Sequence, residues 1–167
     1  LMTNVVTQLI NGSAELGIAN IQMVDIDKFD ILLTQEEHLY AIFRRDVFWT
    51  DREHDTITWE DIKKCPLSLS GGSVRMIMQS SLTDMEQLNA VAITTTKSSA
   101  IEWASSGRTV SLVPMDAKEL ITHRKMARIK LPEFSGDFKK VFITLHGNAI
   151  YHEAQTFIDF HTTYVTY

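Results

Sequence analysis

The sequence predicts an α/β fold. Short apolar runs of strand length alternate with segments of helical period over most of the 167 residues. One such run, Leu67-Ser68-Leu69-Ser70, feeds directly into Gly71-Gly72-Ser73 and then into an apolar stretch of helical length. No internal repeat, low-complexity tract or long linker interrupts the alternation.

Composition narrows the function classes. The length suits one ordinary domain or two small lobes. Hydrophobic residues at 44% and charged residues at 22% are those of a globular chain. The net charge of −5 excludes a global basic field that would draw the chain to nucleic acid or an anionic membrane. Cys65 is the only cysteine, so no internal disulfide and no multi-cysteine metal site can form. That fits a reducing, cytoplasmic setting. No apolar run is long enough to cross a bilayer, and no secretory signal opens the chain. The chain begins inside a helix, which reads as part of a longer protein.

In order, Val5, Val6, Leu9 and Ile10 recur at helical spacing, and Asn11-Gly12 closes that helix. Residues 14–19 read as a buried strand and residues 20–28 as a polar loop. Phe29–Leu33 and Leu39–Phe43 are strand runs broken by Glu36-Glu37-His38. Thr58 with Asp61 resembles a capping box, opening a short helix that Pro66 stops. Ser73 sits where a helix N-cap belongs, and that helix fades near Thr83. Val91–Thr96 is β-branched and strand-like. Ser98 caps a helix ended by Gly107; Thr109–Val113 is a strand closed by Pro114. A short helix around Asp116–Ile121 follows, then strands at Arg128–Leu131 and Val141–Leu145. A final amphipathic helix starts near Asn148.

The Ser70–Arg75 stretch is the candidate ligand site. The first N–H groups of a helix have no internal partner, and the helix dipole favours an anion there. Arg75 adds a fixed positive charge. The competing reading is an ordinary strand-to-helix turn. Catalytic motifs fail one by one. Gly71-Gly72-Ser73-Val74-Arg75 lacks the lysine of a P-loop, and no G-x-S-x-G elbow occurs. His152-Glu153 begins an H-E-x-x-H pattern, but Thr156 stands where the second histidine belongs. Asp51, Glu53, His54 and Asp55 sit among arginines and read as a solvated turn. Arg124, Lys125, Arg128 and Lys130 lack interleaved aromatics and read as an exposed face. The residues point to binding without a cofactor, a metal or catalysis.

Several phrases, in order, resemble the effector-binding domain of LysR-type transcriptional regulators. Leu9-Ile10-Asn11-Gly12-Ser13-Ala14-Glu15-Leu16-Gly17-Ile18 resembles their L-x-x-G-x-x-D-L-G-I segment, with Glu15 for the aspartate. Glu37-His38-Leu39-Tyr40-Ala41-Ile42-Phe43 is similar to their E-x-L-x-x-V strand, without the H-P that commonly follows. Ile57-Thr58-Trp59-Glu60-Asp61-Ile62 with Pro66-Leu67 resembles their helix-and-strand phrase. Ala104–Pro114 resembles V-x-x-G-x-G-v-x-l-l-P, with Arg108-Thr109 where a second glycine is usual. Ala154–Phe160 resembles their closing a-x-x-F-i-d-f helix.

The resemblance implies a periplasmic-binding-protein-like (type 2) fold: two α/β lobes with a cleft between, the first strand of the first lobe missing. It implies lobe I at residues 1–34 and 146–167 and lobe II at 35–145. The DNA-binding helix-turn-helix would lie upstream, so DNA is met only through that domain. Effector-binding residues are then Ser70, Gly71, Gly72, Ser73 and Arg75, with Thr95 and Thr96 on a segment crossing between lobes. Asn20, Val113 and Pro114 lie at strand ends. The implied role is sensing a small anionic or polar metabolite, in a protein that forms a dimer or tetramer and touches no membrane. Two other readings stand beside it: an oligomerisation module with little ligand binding, and an enzyme on a solute-binding fold.

Overall fold

The computed structural model describes residues 2–53, 56–80, 82–116, 121, 124–134 and 138–165. The elements run α1 (Met2–Ile10), β1 (Gly17–Asn20), β2 (Phe29–Glu36), β3 (His38–Arg44), α2 (Trp59–Ile62) and β4 (Leu67–Ser70). They continue α3 (Gly71–Ser80), β5 (Ala90–Thr94), α4 (Lys97–Ser105), β6 (Val110–Met115), β7 (Met126–Lys130), β8 (Lys139–Leu145) and α5 (His152–Val165). The structure is mixed α/β with two sheets. Contacts divide the chain into two units, Leu1–Glu37 with Asp137–Tyr167, and His38–Gly136.

The first unit holds a three-stranded antiparallel sheet in the order β1-β8-β2. Leu9 of α1 packs with Ala19, Phe29, Val141 and Ile143, so the predicted helical stripe finds its core. Gly12 ends α1 at φ 74°, a left-handed position that costs glycine little. On α5, Phe157 and His161 meet Phe142, with centroids 6.1 and 5.2 Å away. β8 corrects the sequence reading, which placed residues 139–145 in lobe II. Its register runs Gly17↔Ile143 on one side and Thr34↔Val141 on the other, which fixes it in the first unit.

The second unit holds a five-stranded sheet in the order β5-β4-β6-β3-β7. β4 is parallel to β5 and β6, whereas β3 runs antiparallel to β6 and β7. Leu67, Ser68, Leu69 and Ser70 are all buried, as expected of a strand covered on both faces. The Ser68 hydroxyl donates to the Ala100 carbonyl at 3.1 Å and meets the Thr109 hydroxyl at 2.9 Å. That bond places Ser68 on the α4 face; alternation puts Leu67 and Leu69 on the other face, with α3. Tyr40, Ile42, Ala100, Ala104, Val113 and Met115 form one continuous core beneath α4.

Several boundaries differ from the sequence reading. α3 starts at Gly71, so Ser70 rather than Ser73 occupies the N-cap position, and the helix ends at Ser80. α4 is capped by Thr96 rather than Ser98: its hydroxyl accepts the Ser99 N–H at 3.2 Å. β6 runs on through Pro114 to Met115. It can do so because β4 pairs with β6 only as far as Leu69↔Leu112, so no β4 carbonyl faces Pro114's missing N–H. The helix expected around Asp116–Ile121 lies largely outside the described residues. Among the described residues, no helix is long and apolar enough to cross a membrane.

Candidate functional site

The parallel arrangement of β5, β4 and β6 brings their carboxyl ends to one edge of the five-stranded sheet. The register Ser70↔Thr94 and Leu69↔Leu112 sets Ser70–Ser73 between Thr94–Thr96 and Val113–Pro114. In open α/β sheets this edge is where ligands bind. Of the residues singled out in the sequence, Ser70, Gly71, Gly72, Ser73, Thr95, Thr96, Val113 and Pro114 gather here.

At the turn, two serines cap α3 reciprocally. The Ser70 hydroxyl accepts the Ser73 N–H at 3.2 Å, and the Ser73 hydroxyl accepts the Ser70 N–H at 2.8 Å. Ser73 also donates to the Ser70 carbonyl at 2.7 Å. Both side chains are buried, Ser73 completely. Their hydroxyls are therefore committed to the cap, and the first two N–H groups of α3, on Gly71 and Gly72, are what the turn presents.

The two glycines differ. A Cβ on Gly72 would lie 2.7 Å from Cγ of Pro114, so the end of β6 is packed directly against the turn. A Cβ on Gly71 would meet nothing within 4 Å, so the space on that side of the turn is open. Arg75 is solvent-exposed one turn further along α3. Thr94 donates to the Leu69 and Thr96 carbonyls at 3.2 and 2.8 Å, binding the end of β5 to β4. Thr95 and Thr96 are exposed.

One expectation is corrected. Thr94–Thr96 does not cross between units: it joins β5 to α4, both in the second unit, and the chain passes between units near 37 and 137. Asn20 ends β1 in the first unit, the strand end at which the sequence places it.

Glu36-Glu37-His38 reads in the sequence as a charged strand junction, but His38 is the first residue of β3. Its register partner is Met115, and Leu39 pairs with Pro114, which places His38 at the same edge. Its Nδ1 is shut away from solvent and has no hydrogen-bond partner among the described residues. Nothing local marked it, because its place depends on β3 pairing with a strand some 70 residues away. Among the described residues, no group of three or more His, Cys, Asp or Glu side chains is placed to hold a metal.

No family model and no curated protein matches the sequence. Solved structures do match the fold. HinK, a LysR family transcriptional regulator from Pseudomonas aeruginosa, superposes with a TM-score of 0.66 at 14% identity, over 95% of this chain and 56% of HinK. The sulfate-bound regulatory domain of the OxyR2 E204G mutant from Vibrio vulnificus gives 0.63 at 15% identity, over 93% and 74%. The effector binding domain of QuiR in complex with shikimate gives 0.68 at 12% identity, over 96% and 76%. The chain thus spans little more than half the length of HinK. Its fold is that of the effector-binding domains of LysR-family regulators, the periplasmic-binding-protein-like type 2 fold.

Proposed function

We propose that this chain is the effector-binding regulatory domain of a LysR-type transcriptional regulator. It takes a small anionic or polar metabolite at the carboxyl edge of β5, β4 and β6, and passes occupancy to an attached DNA-binding domain. The observation that carries this reading is the Ser70–Ser73 turn. It opens a ten-residue helix whose first N–H groups have no partner within the helix, and a side chain added at Gly71 would meet nothing within 4 Å. The fold shared with QuiR, solved with shikimate, and with an OxyR2 domain, solved with sulfate, supports a ligand of this class. The effector is recognised through main-chain N–H groups rather than serine hydroxyls, since Ser70 and Ser73 are spent on each other.

The role is binding rather than catalysis, because the fold's neighbours are transcriptional regulators. Ligand binding shifts the population of two arrangements of the regulator, and the DNA-binding domain reads that shift. A regulator of this kind works in the cytoplasm.

A thermal-shift screen with carboxylates, amino acids and sulfate tests the proposal. A ligand held at 100 times its Kd stabilises the native state by about 2.7 kcal/mol, which raises the melting temperature by about 5–10 °C. A full-length protein whose melting temperature moves with none of these compounds contradicts it.

A further inference from the structure

Ser99, Glu102, Trp103 and Ser106 recur along α4 at the spacing of one helix face, turned away from the buried Ala100 and Ala104. Gly107 follows at φ 77°, and this left-handed turn leaves Arg108 beside the same face. The five residues line a groove of about 290 Å³. Trp103 is 42% exposed there, unusual for so large an apolar ring. Among the described residues, neither the Glu102 carboxylate nor the Arg108 guanidinium has an ion-pair partner. The Ser106 hydroxyl donates to the Trp103 carbonyl at 2.7 Å, so its proton is not offered to the groove. What the groove offers is an indole with one uncommitted charge of each sign.

We propose that this groove binds a free α-amino acid with an apolar side chain. A carboxylate and a guanidinium in one groove, paired neither with each other nor with a neighbour, suit a ligand that carries both charges itself. The Arg108 fork takes the ligand's carboxylate, and Glu102 takes its ammonium. The groove lies toward the C-terminal end of α4, where the helix dipole adds to the attraction for the ammonium. The indole gives the ligand's side chain a flat apolar surface. Size sets the upper limit. A volume of about 290 Å³ lies at the floor of the range for drug-sized ligands, which suits a single amino acid rather than a peptide or a nucleotide. The groove is distinct from the Ser70–Ser73 turn: α4 starts at the carboxyl edge with Thr96, and Arg108 lies past its other end. A small ligand held by a few exposed groups binds weakly, with a Kd on the order of 1 mM.

L-Phenylalanine titrated into the isotopically labelled chain tests this, read on the indole N–H signals of its 3 tryptophans. The Trp103 signal, assigned with Trp103→Phe, should shift along a saturating curve. Glu102→Gln and Arg108→Gln should each weaken phenylalanine binding by roughly threefold or more, with unchanged circular dichroism spectra. Phenylalanine amide lacks the carboxylate, so its binding should not respond to Arg108→Gln. N-Acetylphenylalanine lacks the ammonium, so its binding should not respond to Glu102→Gln. A Trp103 signal that stays still or moves without saturating, or charge-deleted variants that bind phenylalanine as tightly as wild type, overturns the proposal.

Discussion

At Gly72 there is room for a hydrogen and nothing larger. The Pro114 ring stands 2.7 Å from where a Cβ would sit, and a ring joined to the backbone yields little. Gly72→Ala should cost about 1–3 kcal/mol of stability, as overpacking generally does. Gly71→Ala should change stability by less than half as much, because its side chain meets open space. Urea denaturation separates the two, and equal losses would contradict this packing. Ser73→Ala should cost about 1–3 kcal/mol, because it leaves the buried Ser70 N–H without its acceptor. A neutral result would mean that the reciprocal cap is not what holds the turn. In the other unit, His146 Nδ1 lies 2.8 Å from Asp30, and that carboxylate raises the imidazole pKa above 6.5. A raised histidine pKa contributes stability that is complete below 6.5 and is lost as pH rises through the folded value. Asp30→Asn should bring the His146 pKa back toward 6.5 in an NMR titration; an unchanged midpoint would exclude the pairing.

At the scale of elements, α2 shows how a local signal survives folding. Asp61 accepts the Thr58 N–H at 3.1 Å and its hydroxyl at 2.9 Å, as the spacing of the two residues in sequence predicts. Arg52 beside it, and then Thr58, hold the Asp61 pKa at about 2 against an ordinary 3.8. A depressed carboxylate pKa stabilises above its unfolded value, so this contribution disappears as pH falls from 3.8 toward 2. Asp61→Asn should therefore flatten the acid limb of the stability curve in that window, measured by denaturant midpoints at several pH values. The helix starts at α3 and α4 were less legible. Ser70 and Ser73, like Thr96 and Ser98, are all residue types that cap helices, so composition does not choose between them. The choice is made by where strand pairing stops, at Ser70↔Thr94, which is a tertiary fact. Pro114 misleads for the same reason: a proline ends a strand only where a neighbour needs its N–H. β8 is the plainest case, since Val141–Leu145 has the same apolar pattern in either sheet and only its long-range register assigns it.

For the whole molecule, the alternation of strands and helices was enough for the α/β class, and the ordered phrases from Leu9 to Phe160 were enough for the fold family. Strand membership and the division of the chain were not, because both depend on which distant segments pair. The candidate site was half legible. Gly71-Gly72 marked the turn and Pro114 marked the strand beside it. The consumption of both serines by the cap, and the arrival of His38 beside Met115, needed the register of β3, β4 and β6. If the main-chain N–H groups opening α3 receive an anionic or polar effector, as proposed, an amide NMR titration of isotopically labelled protein with the compound that raises the melting temperature most will register it. The Gly71 and Gly72 amides should shift first and saturate with the binding curve; shifts confined to residues away from the carboxyl ends of β4, β5 and β6 would rule the proposal out.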